Sequence, residues 1–492
     1  MPKALSSYEL TLRDRPAHQT LANWLYGELR LAILERRLRA GSRLPASRDF
    51  SKQYGISRGT VVSVFERLQA EGYISCRVGS GTWVNRVDPV QPLSVTNSKQ
   101  PYYIRRIALG YARPKPLVDL TAPDGTRPFC MGDPAVAEFP AELWARLAAR
   151  RARSFRSWLQ TDDDGRGYRP LRRAIADYLN LSRGVRCSSD QVMLVSGVQQ
   201  ALDLLARFLL KPDEPVWMED PGYFGAMIAF AAAGAKIIPV PVDADGISLV
   251  AGQKICPRAN GVYLTPGHQF PLGVTMSLER RLAVLRWASR AGAFVIEDDY
   301  DSEFRFEGRP VPAMQGLDCG SNVIFVGSFN KLLFPSLRIG YVVLPASLAD
   351  YFVAFRSRLD FHNLHLDQAV LCDFIVDGHL GRHLRRMRDL YGNRLAKLIE
   401  ESSRYLGGLL HITGVRAGLY TAGLLRNGMS SREAEKAAAA KGVEVLALDR
   451  FTFQRLDPKG LLLGFAAFDE SAIRAGVTKL AGALESKCRN GT

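Results

Sequence analysis

A single lysine interrupts an apolar stretch late in the chain, "VGSFNKLLFPSLRIGY" at residues 326–341. Lys331 has Ser328 three residues before it and Arg338 seven residues after it. Burying an ammonium group is unfavourable unless another group pairs with it or a reaction consumes its charge. A lysine amine can attack an aldehyde and form an imine, which consumes the charge. Other chemically capable residues indicate which aldehyde that would be.

Polar and aromatic residues also follow three apolar, strand-like runs. The runs stand in "FVIEDDYDSEF", "VWMEDPGYF" and "MLVSGVQQALDLL". The residues that follow them are Asp298, Tyr300, Tyr223, Gly197, Val198 and Gln199. Each has an ordinary structural explanation by itself, because strand ends often carry solvated carboxylates, capped turns and packing aromatics, and most lysines lie on the surface. Their combination is more specific.

Taken together, these residues meet the chemical needs of pyridoxal phosphate. Its aldehyde would form the imine with Lys331, and its ring acts as an electron sink when the ring nitrogen stays protonated. The Asp298 carboxylate would hold that proton by opposite charge. The Tyr300 phenol would donate to the ring hydroxyl oxygen, and Tyr223 would stack on the ring face.

The phosphate of this cofactor needs hydrogen-bond donors and positive charge. The start of a helix supplies free backbone N–H groups, here from Gly197, Val198 and Gln199. Ser328 and Arg338 would add a hydroxyl and a guanidinium. The sequence therefore predicts pyridoxal phosphate as the cofactor and the imine lysine as the catalytic residue. The seven cysteines are scattered without a C-x-x-C pair, so no metal site is expected.

The elements that would position these residues begin at about residue 126. Apolar runs alternate there with amphipathic helical stretches, as in "QVMLVSG" followed by "VQQALDLLARFLL", and "GVYLTPG" followed by "LERRLAVLRWASRAG". Such alternation predicts an α/β fold with a mostly parallel central sheet covered by helices. Two or three domains are expected for 492 residues.

The segment before residue 87 is organised differently. A helix is predicted from Thr20 to about Arg37, and a shorter helix ends at Gly55. After a three-residue turn, "RGTVVSVFERLQAEG" continues with apolar residues at helical spacing, namely Val61, Val64, Phe65 and Leu68. Two helices joined by a short turn that contains glycine fit a helix-turn-helix. "YISCRVGSGTWVN" then predicts two short strands around a glycine-rich tip, as in a wing.

The outer face of the predicted helix that follows Ser57 would meet double-stranded DNA. Ser57 can cap the helix, and Arg58, Gly59, Thr60 and Ser63 lie on the outer face near its N-terminal end, which is the end that enters a major groove. Arg77 of the wing could reach phosphate or a minor groove. A small protein-interaction domain with a solvated basic face is the alternative.

The distribution of charge favours DNA binding over protein interaction for this segment. The chain has a net charge of +16, and residues 1–86 contain fourteen Lys and Arg against seven Asp and Glu. Excess charge also serves solubility, but its concentration in the helix-turn-helix segment suits a polyanion. Residues 87–125 are rich in proline and polar residues and predict a linker. No apolar run is long enough to cross a bilayer and no signal peptide is recognised, so a reducing cytoplasm is the expected location.

The first segment resembles the winged helix-turn-helix of the GntR superfamily. Its motifs are Leu44-Pro45-Ala46-Ser47-Arg48, Ser57-Arg58-Gly59-Thr60-Val61, Glu71-Gly72-Tyr73-Ile74 and Gly79-Ser80-Gly81-Thr82. The resemblance implies contact with operator DNA near these motifs. The expected DNA-binding residues are Arg48, Ser57, Arg58, Thr60, Arg77, Gly79 and Gly81.

The remainder resembles fold type I aminotransferases, and the whole chain is similar to MocR-type regulators, which fuse both parts. Blocks that carry this are "FCMGDPAVAEFP", "GYRPLRRAIADYL", "TPGHQFPLGVTM", "EDPGYF" and "FNKLLFPSLRIGY". The resemblance implies a small α+β C-terminal subdomain, a homodimer, Lys331 as the imine lysine and Gln269 as a further cofactor-binding residue. The expected domains are 1–86, a linker at 87–125, and 126–492.

Two positions depart from the family pattern. Asp162 stands where the family has a tyrosine that reaches the cofactor phosphate of a neighbouring subunit. The family's arginine for a substrate carboxylate precedes the strand "GLLLGFAAF", where this chain has Lys459 or Pro458, with Arg455 slightly earlier. A lysine lacks the planar fork that binds a carboxylate through two hydrogen bonds. Effective amino-acid turnover is therefore not expected.

The sequence thus predicts a DNA-binding transcription regulator that binds pyridoxal phosphate and senses the cofactor itself, an amine or an amino acid. A working aminotransferase that carries a DNA-binding domain is the alternative. A third possibility is that the C-terminal part is a dimerisation scaffold with a vestigial site.

Overall fold

A computed structural model describes residues 10, 12–16, 19–77, 81–86, 127–154, 164–306, 312–318, 322–360, 365–412, 414–426, 428–453 and 459–489. The chain divides into two compact units, residues 1–114 and 115–492. The division falls within the predicted linker, which lies outside the described residues. Across the described ranges, no helix is both long and apolar enough to span a membrane.

The described residues of the N-terminal unit form three helices and a small antiparallel sheet. The helices are α1 (Leu21–Leu34), α2 (Ser47–Tyr54) and α3 (Arg58–Ala70). The strands are β1 (Arg43–Leu44), β2 (Ile74–Arg77) and β3 (Gly81–Val84), in the order β1-β3-β2. The winged helix-turn-helix is confirmed. The two-residue strand β1 was not predicted.

Burial in this unit follows the helical periodicity of the sequence. One face of α1 and the Val61–Leu68 stripe of α3 form its core together with Phe50. α2 ends at Gly55, whose φ of 65° lies in the left-handed region that glycine adopts readily. α1 ends three residues before the predicted boundary, because the chain turns at Arg36 with a φ of 59°.

An eight-stranded sheet forms the centre of the second unit, in the order β4-β11-β10-β9-β8-β5-β6-β7. β11 is antiparallel to both of its neighbours and β7 is antiparallel to β6, whereas the pairs from β10 to β6 are parallel. The strands are β4 (Val192–Val195), β5 (Pro215–Asp220), β6 (Lys236–Asp243), β7 (Gly246–Ile247), β8 (Gly261–Leu264), β9 (Phe294–Asp299), β10 (Val323–Ser328) and β11 (Gly340–Val343). The expected α/β fold is thus confirmed.

Helices accompany these strands along the chain. They are α4 (Ala141–Ala152), α5 (Arg169–Ser182), α6 (Val198–Leu209), α7 (Phe224–Ala232), α8 (Leu249–Ile255), α9 (Leu278–Ala291), α10 (Met314–Leu317), α11 (Ala346–Arg356) and α12 (His365–Val376). The strands read as continuous apolar runs because helices cover the sheet and leave most strand residues buried.

The C-terminal subdomain is α+β, as the family resemblance implied. Its antiparallel sheet has the order β12-β13-β15-β14, with β12 (Leu410–Ile412), β13 (Tyr420–Leu425), β14 (Leu446–Ala447) and β15 (Gly460–Gly464). Its helices are α13 (His379–Tyr405), α14 (Ser431–Ala440) and α15 (Glu470–Arg489). One face of this sheet packs on the helices, while part of the other meets residues at the strand ends of the large sheet.

Candidate functional site

The predicted site residues meet where the parallel strands of the large sheet end. Asp298 pairs in register with Val326, two residues before Ser328, the last residue of β10. Ser328 pairs with Gly340, which also pairs with Val195 at the end of β4. Carboxyl ends of parallel strands are the usual place for ligand sites in such folds. The sheet therefore brings together side chains that are distant in sequence.

Lys331 lies just beyond β10 with its amine largely enclosed. Its Nζ donates a hydrogen bond to the carbonyl oxygen of Gly132. Burial lowers the pKa of Lys331, and the nearby carboxylates of Asp133 and Asp301 oppose that shift. A lowered pKa increases the fraction of neutral amine, which is the nucleophilic form.

Two features favour glycine at position 132. Its φ is +85°, a conformation that side chains rarely adopt. A Cβ atom there would lie 2.8 Å from Lys331 Nζ. The glycine therefore leaves the space in which the lysine amine can react.

Asp298 is buried, with 3% of its surface exposed. Tyr263 donates a hydrogen bond of 2.7 Å to its Oδ2, and its Oδ1 has no hydrogen-bond partner among the residues that the structure describes. Burial raises the pKa of Asp298 to about 7, and the Tyr263 hydrogen bond opposes the shift. A buried acceptor without a hydrogen-bond partner is rare. Asp298 Oδ1 could therefore accept a hydrogen bond from the ring N–H group of a ligand. Tyr263 was missed in the sequence because it stands inside a buried apolar strand.

The Tyr300 phenol belongs to a small hydrogen-bonded cluster. It donates to the carbonyl oxygen of His268 at 2.8 Å and lies 2.7 Å from the Tyr420 hydroxyl. Asp301 accepts from or donates to His268 Nδ1 at 3.0 Å, according to their protonation. Burial and the charge of Asp301 raise the pKa of Tyr300 well above its usual value. Its contact with a cofactor hydroxyl stays a prediction.

The first turn of α6 lies beside Asn330 and Arg338. Gly197 has a φ of +108°, and a Cβ atom on it would lie 3.3 Å from Asn330 Nδ2 and 4.0 Å from Arg338 Cζ. Ser328 Oγ accepts from Asn330 N at 3.1 Å. The first N–H groups of a helix have no partner within it. Asn330 was not identified from the sequence, since an asparagine next to a lysine carries no distinctive signal.

Tyr223 and Gln199 lie beside this turn. Gln199 donates to the Gly225 carbonyl at 2.9 Å, and the Tyr223 hydroxyl lies 3.5 Å from Gln199 Oε1. Burial and the charge of Asp298 raise the pKa of Tyr223 to about 12, and Arg338 opposes the shift. The ring therefore lies within electrostatic reach of both the carboxylate and the guanidinium, as a residue that covers a cofactor ring would.

Gln269 is buried and binds its own loop. Its Nε2 donates to the carbonyls of Pro221, at 2.9 Å, and Phe270, and its Oε1 accepts from Leu272 N at 3.0 Å. These bonds assign the side chain to holding the loop after β8. Direct contact with the cofactor stays a prediction.

The positions that depart from the family are only partly visible. Asp162, Arg455 and Pro458 lie outside the described residues. Lys459 is exposed immediately before β15, where its carbonyl accepts from Leu425 N at 3.1 Å. On the side of β15 that faces Tyr420, the strand instead presents Leu462.

In the N-terminal unit, Arg48 lies in the first turn of α2, and Ser57, Arg58 and Thr60 lie at the start of α3. Arg48 and Arg58 are exposed, and Ser57 caps α3 by accepting from Thr60 N at 3.2 Å. Gly81 begins β3 with a φ of +99°, and Arg77 is the last residue of β2. Gly79 and the Arg77 side chain lie outside the described residues. In the described part of the chain, no cluster of His, Cys, Asp or Glu could hold a metal ion.

Comparison with known proteins identifies both units. Residues 21–84 match the family "Bacterial regulatory proteins, gntR family", and residues 128–480 match "Aminotransferase class I and II". The chain is 41% identical to the probable rhizopine catabolism regulatory protein MocR of Rhizobium meliloti, over 96% of this chain and 95% of the relative. The chain belongs to the MocR family of transcriptional regulators.

The chain is also similar to a second regulator and to an aminotransferase of known structure. The pyridoxine biosynthesis transcriptional regulator PdxR of Corynebacterium glutamicum is 28% identical over 98% of both chains. LysN, the α-aminoadipate aminotransferase of Thermus thermophilus, has a TM-score of 0.68 and 28% identity over 74% of this chain and 94% of its own. This MocR-type regulator therefore combines a DNA-binding helix-turn-helix with an aminotransferase fold of the class that depends on pyridoxal phosphate.

Proposed function

We propose that this regulator binds pyridoxal phosphate through an imine on Lys331 and that its occupancy controls binding to operator DNA. One observation carries the proposal. The structure places the enclosed Lys331 amine and the unpartnered buried oxygen of Asp298 at the ends of adjacent strands. A site that only supported dimerisation would have no need of either group.

The residues present fit this cofactor. Lys331 would hold its aldehyde carbon, Asp298 its ring nitrogen, and the first turn of α6 with Ser328 and Arg338 its phosphate. When bound, the cofactor supplies a carbonyl that exchanges between amines and a ring that withdraws electrons. Tyr263 would orient Asp298, and Tyr223 would cover the ring face.

The effector is either the cofactor or an amine that replaces Lys331 on it. An effector changes DNA affinity only if it binds differently to two arrangements of the protein. The similarity to a regulator of pyridoxine biosynthesis supports the cofactor as one effector, and the reactive lysine supports an amine as the other. A homodimer with exchanged DNA-binding units is the arrangement that we propose for the response.

Borohydride trapping tests the proposal directly. Reduction after adding pyridoxal phosphate should leave a phosphopyridoxyl group on the peptide that contains Lys331 and none on Lys331→Ala. Lys459→Ala, which removes an exposed lysine, should label normally. A label on another residue, or a DNA footprint whose response to the cofactor is unchanged in Lys331→Ala, would contradict the proposal.

A transaminase is the second candidate, since Lys331 and Asp298 are both retained. Sustained conversion of an amino acid to its keto acid, lost in Lys331→Ala, would establish it. The apolar surroundings described below argue against effective binding of an amino-acid carboxylate.

A further inference from the structure

An apolar wall lies beside the candidate cofactor site, and its chemistry bears on the effector. Six buried residues form this effector wall, namely Phe270, Tyr420, Ala422, Leu448, Phe451 and Leu462. Tyr223 and Tyr300 pack against it. The wall therefore extends from the residues that we assign to the cofactor ring to the sheet of the small subdomain.

The side chains of β15 alternate between two environments. Leu461 and Leu463 pack into the core formed with the helices of the subdomain, whereas Leu462 packs into the effector wall. Leu462 lies opposite Ala422 on β13 and Leu446 on β14. Strands β13, β15 and β14 thus present methyl groups toward the site, where recognition of a carboxylate would call for a guanidinium.

Two carboxylates lie near the Lys331 amine. Gly132 binds the Lys331 amine, and the next residue, Asp133, is half-buried. Asp301 is buried and held by His268. Both carboxylates act electrostatically on Lys331. A substrate carboxylate brought to this amine would meet like charges in partly desolvated surroundings, which is unfavourable.

Two arginines near the wall, in the part of the chain that the structure describes, are engaged elsewhere. Arg450 binds Glu435 through two hydrogen bonds of 2.7 and 2.9 Å. Arg432 lies 3.0 Å from Asp449. Breaking either pair to bind a ligand would leave a partly buried carboxylate without its partner.

We propose that the effector of this regulator is a primary amine that carries no carboxylate. The inference rests on the cofactor function proposed above. Its nitrogen replaces that of Lys331 on the cofactor's aldehyde carbon, so one carbon–nitrogen bond forms and one breaks. The two amine protons pass to the released lysine, and no other reactant is needed. The rest of the effector lies against the effector wall, and a second positive group on it is favoured by Asp133.

Matched amines test this assignment on the full-length protein loaded with pyridoxal phosphate. L-norvaline and butylamine differ only in the carboxylate, as do L-ornithine and putrescine. The cofactor's visible absorbance is followed as each amine is added, and operator binding is measured in parallel. Butylamine and putrescine should act at concentrations at least tenfold below those of their amino-acid counterparts.

Two variants separate the contributions to this preference. Leu462→Arg places a guanidinium on the effector wall. Asp133→Asn removes a negative charge and introduces no charged group. Each should reduce the preference for the carboxylate-free amine about tenfold. Val250→Arg adds the same charge on the exposed surface of α8 and should leave the preference unchanged.

The outcomes distinguish this inference from the proposed function. Equal or stronger responses to the amino acids, or a preference unchanged in both variants, would overturn the inference. Normal cofactor absorbance without a response to any amine would overturn it too, while leaving the cofactor function standing. Protein that stays colourless with pyridoxal phosphate would overturn both.

Discussion

Asp298 shows that the site is built at the expense of stability. A carboxyl whose pKa is raised to about 7 binds its proton more tightly in the folded protein than in the unfolded chain, where the pKa is about 4. The free energy of unfolding that this carboxyl contributes is therefore present at low pH. It is lost as the pH rises from about 4 to about 7. The cofactor ring nitrogen would compensate for the buried charge.

Asp298→Asn should stabilise the cofactor-free protein at pH 8 by about 2 to 4 kcal/mol, because a buried charge is removed. At pH 4 the gain should vanish, since Asp298 is already neutral there. Thermal unfolding at the two pH values measures the difference. The same variant should bind pyridoxal phosphate more weakly at pH 8. Asp245→Asn, at an exposed position, is the control, and an equal gain at both pH values would contradict the assignment.

Gly132→Ala should weaken attachment of the cofactor to Lys331, because its Cβ would lie 2.8 Å from the amine and displace it. The backbone strain alone costs about 1 to 2 kcal/mol. Gly292→Ala, at a φ of +64° with open space around it, imposes the strain without the clash. Cofactor absorbance at a given cofactor concentration should fall in the first variant and persist in the second. Normal absorbance in Gly132→Ala would mean that the lysine reacts from another position.

At the scale of elements, the cap of α3 links stability to DNA binding. Ser57→Ala should destabilise the N-terminal unit by about 1 kcal/mol, since the helix loses the acceptor for Thr60 N. Operator affinity should fall as well, because the capped turn carries Arg58 and Thr60. Ser277→Ala removes the equivalent cap from α9 in the other unit and should leave operator affinity unchanged. If both variants bound operator DNA equally well, the capped first turn of α3 would not take part in DNA recognition.

Elements differed in how well the sequence predicted them. α3 was predicted correctly because its apolar stripe, its cap and the glycine before it agree. β1 was missed because two residues carry no alternation, and the strand exists only by pairing with β3. The end of α1 was also misplaced, since the left-handed turn at Arg36 uses a residue type that gives no turn signal.

At the scale of the whole molecule, the surplus of Lys and Arg over Asp and Glu in residues 1–86 favours binding to DNA. The affinity for operator DNA should fall steeply as salt rises, because basic side chains displace counterions from the phosphates. Arg58→Ala should lower the slope of log affinity against log salt by about 1 if this guanidinium contacts a phosphate. Arg290→Ala, at an exposed position in the other unit, should leave the slope unchanged. Titrations between low and moderate salt measure it, and a flat response in the unaltered protein would contradict DNA binding through α3.

The sequence by itself determined both units, the alternation of strands and helices, and the residue types that a pyridoxal phosphate site requires. Those features are local, since periodicity, caps and turn glycines act over a few neighbouring residues. Tertiary structure alone decided that Tyr263 holds Asp298, that Asn330 lies beside the first turn of α6, and that Leu462 rather than Lys459 faces Tyr420. Such contacts depend on strand register and on packing between distant segments, and no short stretch of sequence encodes either.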